Sequence, residues 1–544
     1  MASMTYCSCP VCAGSAGPTG SGGGGGAAAT ATPSFIEALT FEMDAPVTVW
    51  NPTGQVFTRT YKFVQSMPTN RDWGAVTGFT PLDAAKKAVV REMLTQYSEV
   101  IPVQFVELSD TATQNGDISF GSAAMESSGG WGSYFYSYRT TGGTVSSKTL
   151  DSMVVFNKAY ALDSTYGRNL VLHEVGHAFT LKHPGNYDTI ESDPPGPFLP
   201  AAEDSNQYSV MSYNDHPVTG EKSGSLQLYD IAALQYRFGA NTATRSGDTT
   251  YSDLMGRNML TVWDGGGTDS FDFSSRADDL TLDLRAGAFS SVGTAKNLAI
   301  AYGVVIENAR GGAGNDSVVG NGSANDLQGG AGNDTILGCA AENAADVDPD
   351  LIQGGDGNDL IFGYGGPDWL FSGTGDDTIY GGLGDDTLLG GRGADYLYGG
   401  QDNDSILSGQ DSDTVESGLG NDTILAGQQD DLVLAGRGDD FIQGGLGNDT
   451  LNGALGNDTI EGNGDDDILV GGGGADLFVF TSPAGADVIE DFLASEGDRI
   501  RVAAGMAYTV SDAGSGTLVA FAGGSVLLKG IIRTSVTDSL FVTA

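Results

Sequence analysis

Residues 381–389 read GGLGDDTLL and residues 390–398 read GGRGADYLY. Both follow one nine-residue pattern: glycine, glycine, any residue, glycine, any residue, aspartate, any residue, aliphatic, any residue. The frame extends far in both directions. Counted from Asp350, every ninth residue through Asp476 is aspartate: Asp359, Asp368, Asp377, Asp386, Asp395, Asp404, Asp413, Asp422, Asp431, Asp440, Asp449, Asp458 and Asp467 lie between them. Two positions after each comes an apolar residue, from Ile352, Ile361 and Leu370 to Leu469 and Phe478. Earlier copies carry Asp316 and Asp334, with Asn325 at the intervening position, and an insertion around Cys339–Pro349 breaks the register once. A disordered linker would not hold an aliphatic phase over so many copies, so residues 311–476 read as an ordered repeat array.

Each repeat supplies a glycine turn, where positive φ angles are accessible, and one short strand with an inward aliphatic side chain. Two repeats make one coil, so aspartates of like face stack at the inter-strand spacing of roughly 4.8 Å. Carboxylates that close repel by roughly 1–3 kcal/mol per pair, depending on the local dielectric. Such a coil should not close without cations, and a hard divalent ion with oxygen ligands suits it; calcium fits best. The pattern resembles the RTX repeats. That resemblance implies an all-β parallel β-roll that folds on binding several structural calcium ions, with these aspartates as ligands.

The rest of the chain agrees with a cation-collecting protein. It has 544 residues, too many for one hydrophobic core, so two or more domains are expected. Acidic residues outnumber basic ones 70 to 25, a formal net charge of −45, which argues against nucleic acid or an anionic membrane as partner. No apolar run reaches the length of a membrane span. The first thirty residues lack a basic stretch followed by an apolar core, so no ordinary cleaved secretory signal is expected there. Of four cysteines, Cys7, Cys9 and Cys12 crowd the N-terminus and Cys339 stands alone, so no disulfide framework supports the body. The trio reads as an exposed thiol cluster or as a metal chelator, with a thiolate latency device as a further alternative. The composition divides the chain into a flexible leader at 1–34, a globular domain at 35–243, a junction at 244–310, the repeats at 311–480 and a β cap at 481–544.

Within the globular domain, helical spacing over Ala84–Leu94 leads into a strand at Val103–Val106. Further strands are expected at Ile118–Phe120 and Met153–Phe156, and helices at Leu170–Thr180 and Leu226–Arg237. The chemistry concentrates in the first of these two helices. Three of the four histidines lie in HEVGHAFTLKH, residues 173–183. His173 and His177 are four apart and leave the same helix face, so both can bind one metal, while Glu174 beside them is placed to hold a water. His183 reaches that metal only if the chain turns near Thr180. Three imidazoles with an open fourth position describe a catalytic zinc site. His216, the remaining histidine, reads as a surface-loop residue.

Downstream, Ser209–Tyr213 (SVMSY) looks like the methionine turn of the metzincins, with Met211 packing beneath the zinc. HEVGHAFTLKHPG, QYSVMSY, YDIAALQYRFGAN and TRSGDT together are similar to the serralysin family of zinc metalloproteases, over about Phe35 to the C-terminus. The resemblance implies an α+β metzincin-like protease domain ahead of the roll, with one catalytic zinc. It implies His173, His177 and His183 as zinc ligands, Glu174 as general base, and Tyr213 as a further ligand that swings away to stabilise the oxyanion. It also carries calcium-binding positions to Arg245, Gly247, Thr249, Asp264, Gly266, Gly267, Asp269 and Glu307. One departure stands out: metzincins usually have glycine where this chain has Thr180, and a β-branched residue suits a positive-φ turn poorly.

The expected reaction is hydrolysis of peptide bonds in protein substrates by zinc-bound water, with Glu174 taking and returning the proton. Gly130–Tyr138 reads either as the edge strand that holds the substrate or as a Gly/Tyr-rich surface loop. The resemblance further implies export to the extracellular medium through a type I (ABC) secretion apparatus. The terminal segment from Asp538 through Leu540, Phe541 and Val542 resembles the signal for that route and equally suits the last strand of a cap. A proteinaceous inhibitor is a partner class the resemblance leaves open. The competing reading is a calcium-dependent adhesin or surface protein carrying an inactive protease domain.

Overall fold

A computed structural model describes residues 34–40, 55–66, 77–112, 116–124, 130–141, 144–185, 197–339, 347–480 and 485–543. The chain is an α+β domain followed by a long parallel β-roll. One connected hydrophobic core runs from Ala38 in the first helix to Leu540 in the last coil.

The first half builds a six-stranded sheet with helices packed against it. Helix α1 (Ser34–Leu39) precedes strands β1 (Phe57–Phe63) and β2 (Thr77–Thr80). Helix α2 (Ala84–Val100) starts on Asp83, whose carboxylate accepts the Lys86 N–H, a favoured N-cap. Strands β3 (Val103–Glu107), β4 (Ile118–Ala124), β5 (Gly130–Thr141) and β6 (Thr144–Asn157) complete the sheet in the order β3-β1-β4-β6-β5, with β2 paired on β4. The β1, β3, β4 and β6 pairings are parallel; β5 lies antiparallel on β6 at the edge. Gly130–Tyr138 is therefore strand, not loop. Helix α3 (Thr165–Ala178) begins five residues before the expected Leu170, because Ser164 Oγ accepts the Gly167 N–H and caps it there. It is buried almost throughout. Tyr97 of α2 donates its hydroxyl to the Leu172 carbonyl at 2.6 Å and ties the two helices together. Helix α4 (Leu228–Phe238) closes the domain; Gln227 and Asp230 form its capping box.

From Thr250 to Thr543 the chain winds two facing sheets. Strands pair in parallel with partners eighteen residues away, as in Ile361 with Ile379 and Leu370 with Leu388, so two nonapeptides do make one coil. Across the insertion the offset becomes 25, pairing Leu327 with Ile352 and Ile336 with Ile361. The aliphatic residues from Ile352 to Leu469 are fully enclosed between the sheets. Neither sheet breaks at residue 310 or 480. The coils start with Thr250–Tyr251 and Ser270–Asp272 and end with Phe541–Thr543, which pairs in parallel with Arg499–Val502. On the other sheet, Tyr508–Ala513, Gly516–Phe521 and Gly524–Lys529 form an antiparallel meander that covers the final coils.

Candidate metal centres

Helix α3 ends in a Schellman motif: Leu181 N–H bonds the Gly176 carbonyl at 3.0 Å and Thr180 N–H bonds the His177 carbonyl at 2.9 Å. The residue after the cap must then be left-handed, and Thr180 is, with φ at 67°. The chain leaves at an angle, Lys182 N–H bonds the Leu39 carbonyl and Thr40 bridges Leu181. That reversal returns His183 to the helix. Its Nε2 lies 3.0 Å from His173 Nε2 and 3.1 Å from His177 Nε2.

The Nδ1 atoms of the two helical histidines are committed to carbonyls. His173 Nδ1 meets the Val210 carbonyl and His177 Nδ1 the Leu181 carbonyl, both at 2.9 Å. A proton on each of these Nδ1 atoms leaves the Nε2 lone pairs of both rings facing His183 Nε2. Burial, then mutual repulsion, keeps His173 well below the usual imidazole range, and His177 and His183 fall to about 4, chiefly by burial. Converging neutral lone pairs suit a cation. Three nitrogens about 2.1 Å from one tetrahedral zinc would sit about 3.4 Å apart, close to the spacing observed. Glu174 is 7% exposed, and with no cation beside it burial pushes its carboxyl up to about 8. The Tyr213 ring lies 4.5 Å from that of His183 and 5.6 Å from that of His173, with 54% of the residue exposed.

Beneath the histidines, Met211 is fully buried. A Cβ on Gly176 would lie 2.6 Å from its Sδ, so the glycine between the two helical histidines makes room for the methionine. Asp230 of α4 fixes this turn: its carboxylate accepts Ser209 Oγ–H at 2.6 Å, Val210 N–H at 2.8 Å and Gln227 N–H at 2.9 Å. Because the Val210 carbonyl holds His173, Asp230 is one peptide away from a metal-facing ring. Sequence reasoning missed it; the signal was an acid at the third position of a helix following the SVMSY segment. His216 is 1% exposed, contrary to the surface position expected. Its Nδ1 accepts the Val218 and Thr219 N–H groups at 3.2 Å, and Nε2 faces the Lys296 carbonyl, so it braces a loop.

The junction positions converge in one loop cluster. Asp269 accepts the Thr249 N–H, its own N–H bonds Glu307, and Asp264 accepts the Gly266 N–H and the Tyr251 hydroxyl. Gly267 abuts the Gly247 backbone where a Cβ would collide. Arg245, left-handed at φ 48°, turns its guanidinium onto the Trp263 carbonyl and Glu99. Asp269 Oδ2 is buried with no partner.

Along the roll the aspartates form two ladders. In each coil Oδ1 accepts the N–H of the aspartate one coil earlier, as Asp377 does from Asp359 and Asp404 from Asp386, at 2.7–2.9 Å. The second oxygen of Asp359, Asp395, Asp404, Asp449, Asp458 and Asp467 is buried with no partner. An anionic oxygen left so is costly, and a calcium ion is the partner this donor set fits. Asp316 differs, since both of its oxygens accept amides, from Leu280 and Gly312. The ladders also run past Asp476: Asp487 accepts the Asp467 N–H and Asp498 the Asp476 N–H. Their offsets of 20 and 22 residues hid them from the ninefold count, although each is followed two places on by an isoleucine.

The Peptidase M10 serralysin C-terminal family matches residues 234–363, and the RTX calcium-binding nonapeptide repeat matches four segments between 371 and 478. Curated relatives include serralysin of Proteus mirabilis, 37% identical over an alignment of 278 positions that covers 44% of this chain and 55% of that one. Metallopeptidase AprA of Pseudomonas marginalis is 35% identical over 49% of this chain and 60% of its own length. Serralysin C of Dickeya chrysanthemi is similar to the same degree, 35% over 49% and 60%. The chain thus spans 55–60% of the length of these relatives. The chain is similar to serralysins over about half of its length, through the M10 C-terminal region and the calcium-binding repeats.

Proposed function

We propose that the chain is a secreted zinc-dependent endopeptidase acting on proteins, held in shape by calcium in its roll. The observation that carries this is the convergence of three histidine Nε2 atoms within 3.0–3.1 Å, with a buried glutamate on the adjoining helical position. His173, His177 and His183 would hold one zinc ion, with the Tyr213 hydroxyl as a further ligand. Zinc bound there supplies a Lewis acid that acidifies a water and polarises the scissile carbonyl. Glu174 takes the proton of the attacking water and returns it to the leaving amine. Tyr213, exposed beside His183, donates its hydroxyl to the oxyanion as charge develops. Strand β5 lies antiparallel at the sheet edge and contacts α3, the position of a strand that pairs an extended substrate.

In this reading residues 35–243 are the peptidase domain, 244–310 the junction, 311–480 the nonapeptide roll and 481–544 the cap, with 1–34 as leader. Calcium ions lie along the aspartate ladders and at the Arg245–Glu307 cluster. A roll that closes only on calcium stays unfolded where calcium is scarce, which suits threading through a type I secretion apparatus. None of the helices among the described residues is long and apolar enough to cross a membrane.

Casein hydrolysis by the purified chain tests the proposal. Activity should vanish with a chelator and return with zinc and calcium together. Glu174→Ala should keep about one zinc per chain and lose nearly all turnover. A Glu174→Ala variant retaining a tenth of the wild-type rate would overturn the assignment.

A further inference from the structure

Thr180 occupies the left-handed position of the Schellman turn, φ 67°, with a β-branched side chain that disfavours that conformation. It is buried, 3% exposed. Helix α4 brings Arg237, equally buried, against it, and Arg237 Nη1 donates to Thr180 Oγ1 at 2.5 Å. The turn matters to two metal-facing rings. The next residue's carbonyl, at Leu181, orients His177 through Nδ1, and the exit direction of the chain decides where His183 arrives. A relaxation of Thr180 towards an ordinary backbone region would rotate that carbonyl and swing His183 off the helix face.

We propose that Arg237 is a positioning residue for the metal centre, holding Thr180 in its left-handed turn and through it the Leu181 carbonyl and His183. The inference rests on the reading that the three histidines bind zinc. It makes Thr180 and Arg237 a coupled pair: the arginine from α4 supports a conformation that glycine would adopt unaided. Arg237 would act through Thr180 and not on the metal itself.

The test is zinc affinity, read by competition with a chromophoric chelator on the full chain in saturating calcium. Circular dichroism checks that each variant is folded. Arg237→Leu should weaken zinc binding roughly 10–100-fold, the usual effect of removing a group that orients a ligand. In a Thr180→Gly background the same Arg237→Leu change should alter affinity by less than about threefold, because a glycine turn needs no support. Should Arg237→Leu fail to fold, the near-isosteric pair decides. Thr180→Ser keeps the hydroxyl and should stay within about threefold of wild type, whereas Thr180→Val should lose about as much as Arg237→Leu. Equal losses from Arg237→Leu in both backgrounds, or equal affinities for Thr180→Ser and Thr180→Val, would overturn the inference alone. A wild-type chain that takes up no zinc would overturn the site reading and this inference with it.

Discussion

Removing calcium at pH 8 should unfold the roll, and lowering the pH to 5 without calcium should restore much of it. Burial, more than neighbouring charge, holds the ladder carboxyls high: Asp359, Asp395 and Asp431 at about 7, Asp467 at about 8 and Asp404 at about 9. Raising one carboxyl from 3.8 to about 7 corresponds to about 4 kcal/mol in favour of its protonated folded form, at about 1.4 kcal/mol per decade. Water reaches the turns on either side, and screening leaves about 1 kcal/mol per site. Over the eleven aspartates between Asp359 and Asp476 that burial holds at about 6 or above, the charged, calcium-free roll is disfavoured by about 11 kcal/mol, as much as a whole domain's usual stability. The sign follows from folded values above the unfolded one. Protonation stabilises the roll fully below pH 3.8, and that contribution is lost as pH rises through about 6 to 9. At pH 5, still above the isoelectric point near 4.1, the folded roll binds protons that the unfolded chain does not, so the penalty is smaller than at pH 8.

Hydrogen exchange over residues 350–476, with circular dichroism on the full chain in excess chelator, reads the outcome. Those amides should exchange freely at pH 8 and be protected at pH 5. With calcium present, the midpoint should move to higher calcium as pH falls, because protons compete for the same oxygens. Full protection in chelator at pH 8, or equal exposure at both pH values, would refute the electrostatic reasoning and the export logic built on it.

Other expected outcomes follow from single contacts. Asp422→Ala should raise the calcium midpoint of roll folding severalfold without abolishing it, since the flanking coils still share ions; an unchanged midpoint would remove Asp422 from the ligand set. Asp230→Ala should cost roughly 10-fold or more in zinc affinity by releasing Val210 and so His173, measured by chelator competition. Gly176→Ala pushes a methyl onto the buried Met211 Sδ and should destabilise the domain by about 1–3 kcal/mol in urea unfolding. Thr180→Gly lifts about 1–2 kcal/mol of left-handed strain but takes a hydroxyl from buried Arg237, at about 1–3 kcal/mol. Its net stability change should stay within about 1 kcal/mol by the same measurement.

What could be read from the chain alone was what repeats or what is local. The ninefold aspartate and aliphatic phases specify a roll because each residue's surroundings are copies of its own repeat, one coil away. The spacing of His173 and His177 specifies a shared metal face because both sit on one helix. Everything decided by distant contacts lay outside that reach. Asp230 and Arg237 come to the site from a helix 20 and 57 residues beyond their partners, Val210 and Thr180. His216 is buried by a segment 80 residues on. Asp487 and Asp498 join the ladders at offsets of 20 and 22 residues, outside the ninefold count. Thr180 carries the same lesson: its intrinsic preference argues against the turn it occupies, and a buried hydrogen bond across the domain outweighs that preference.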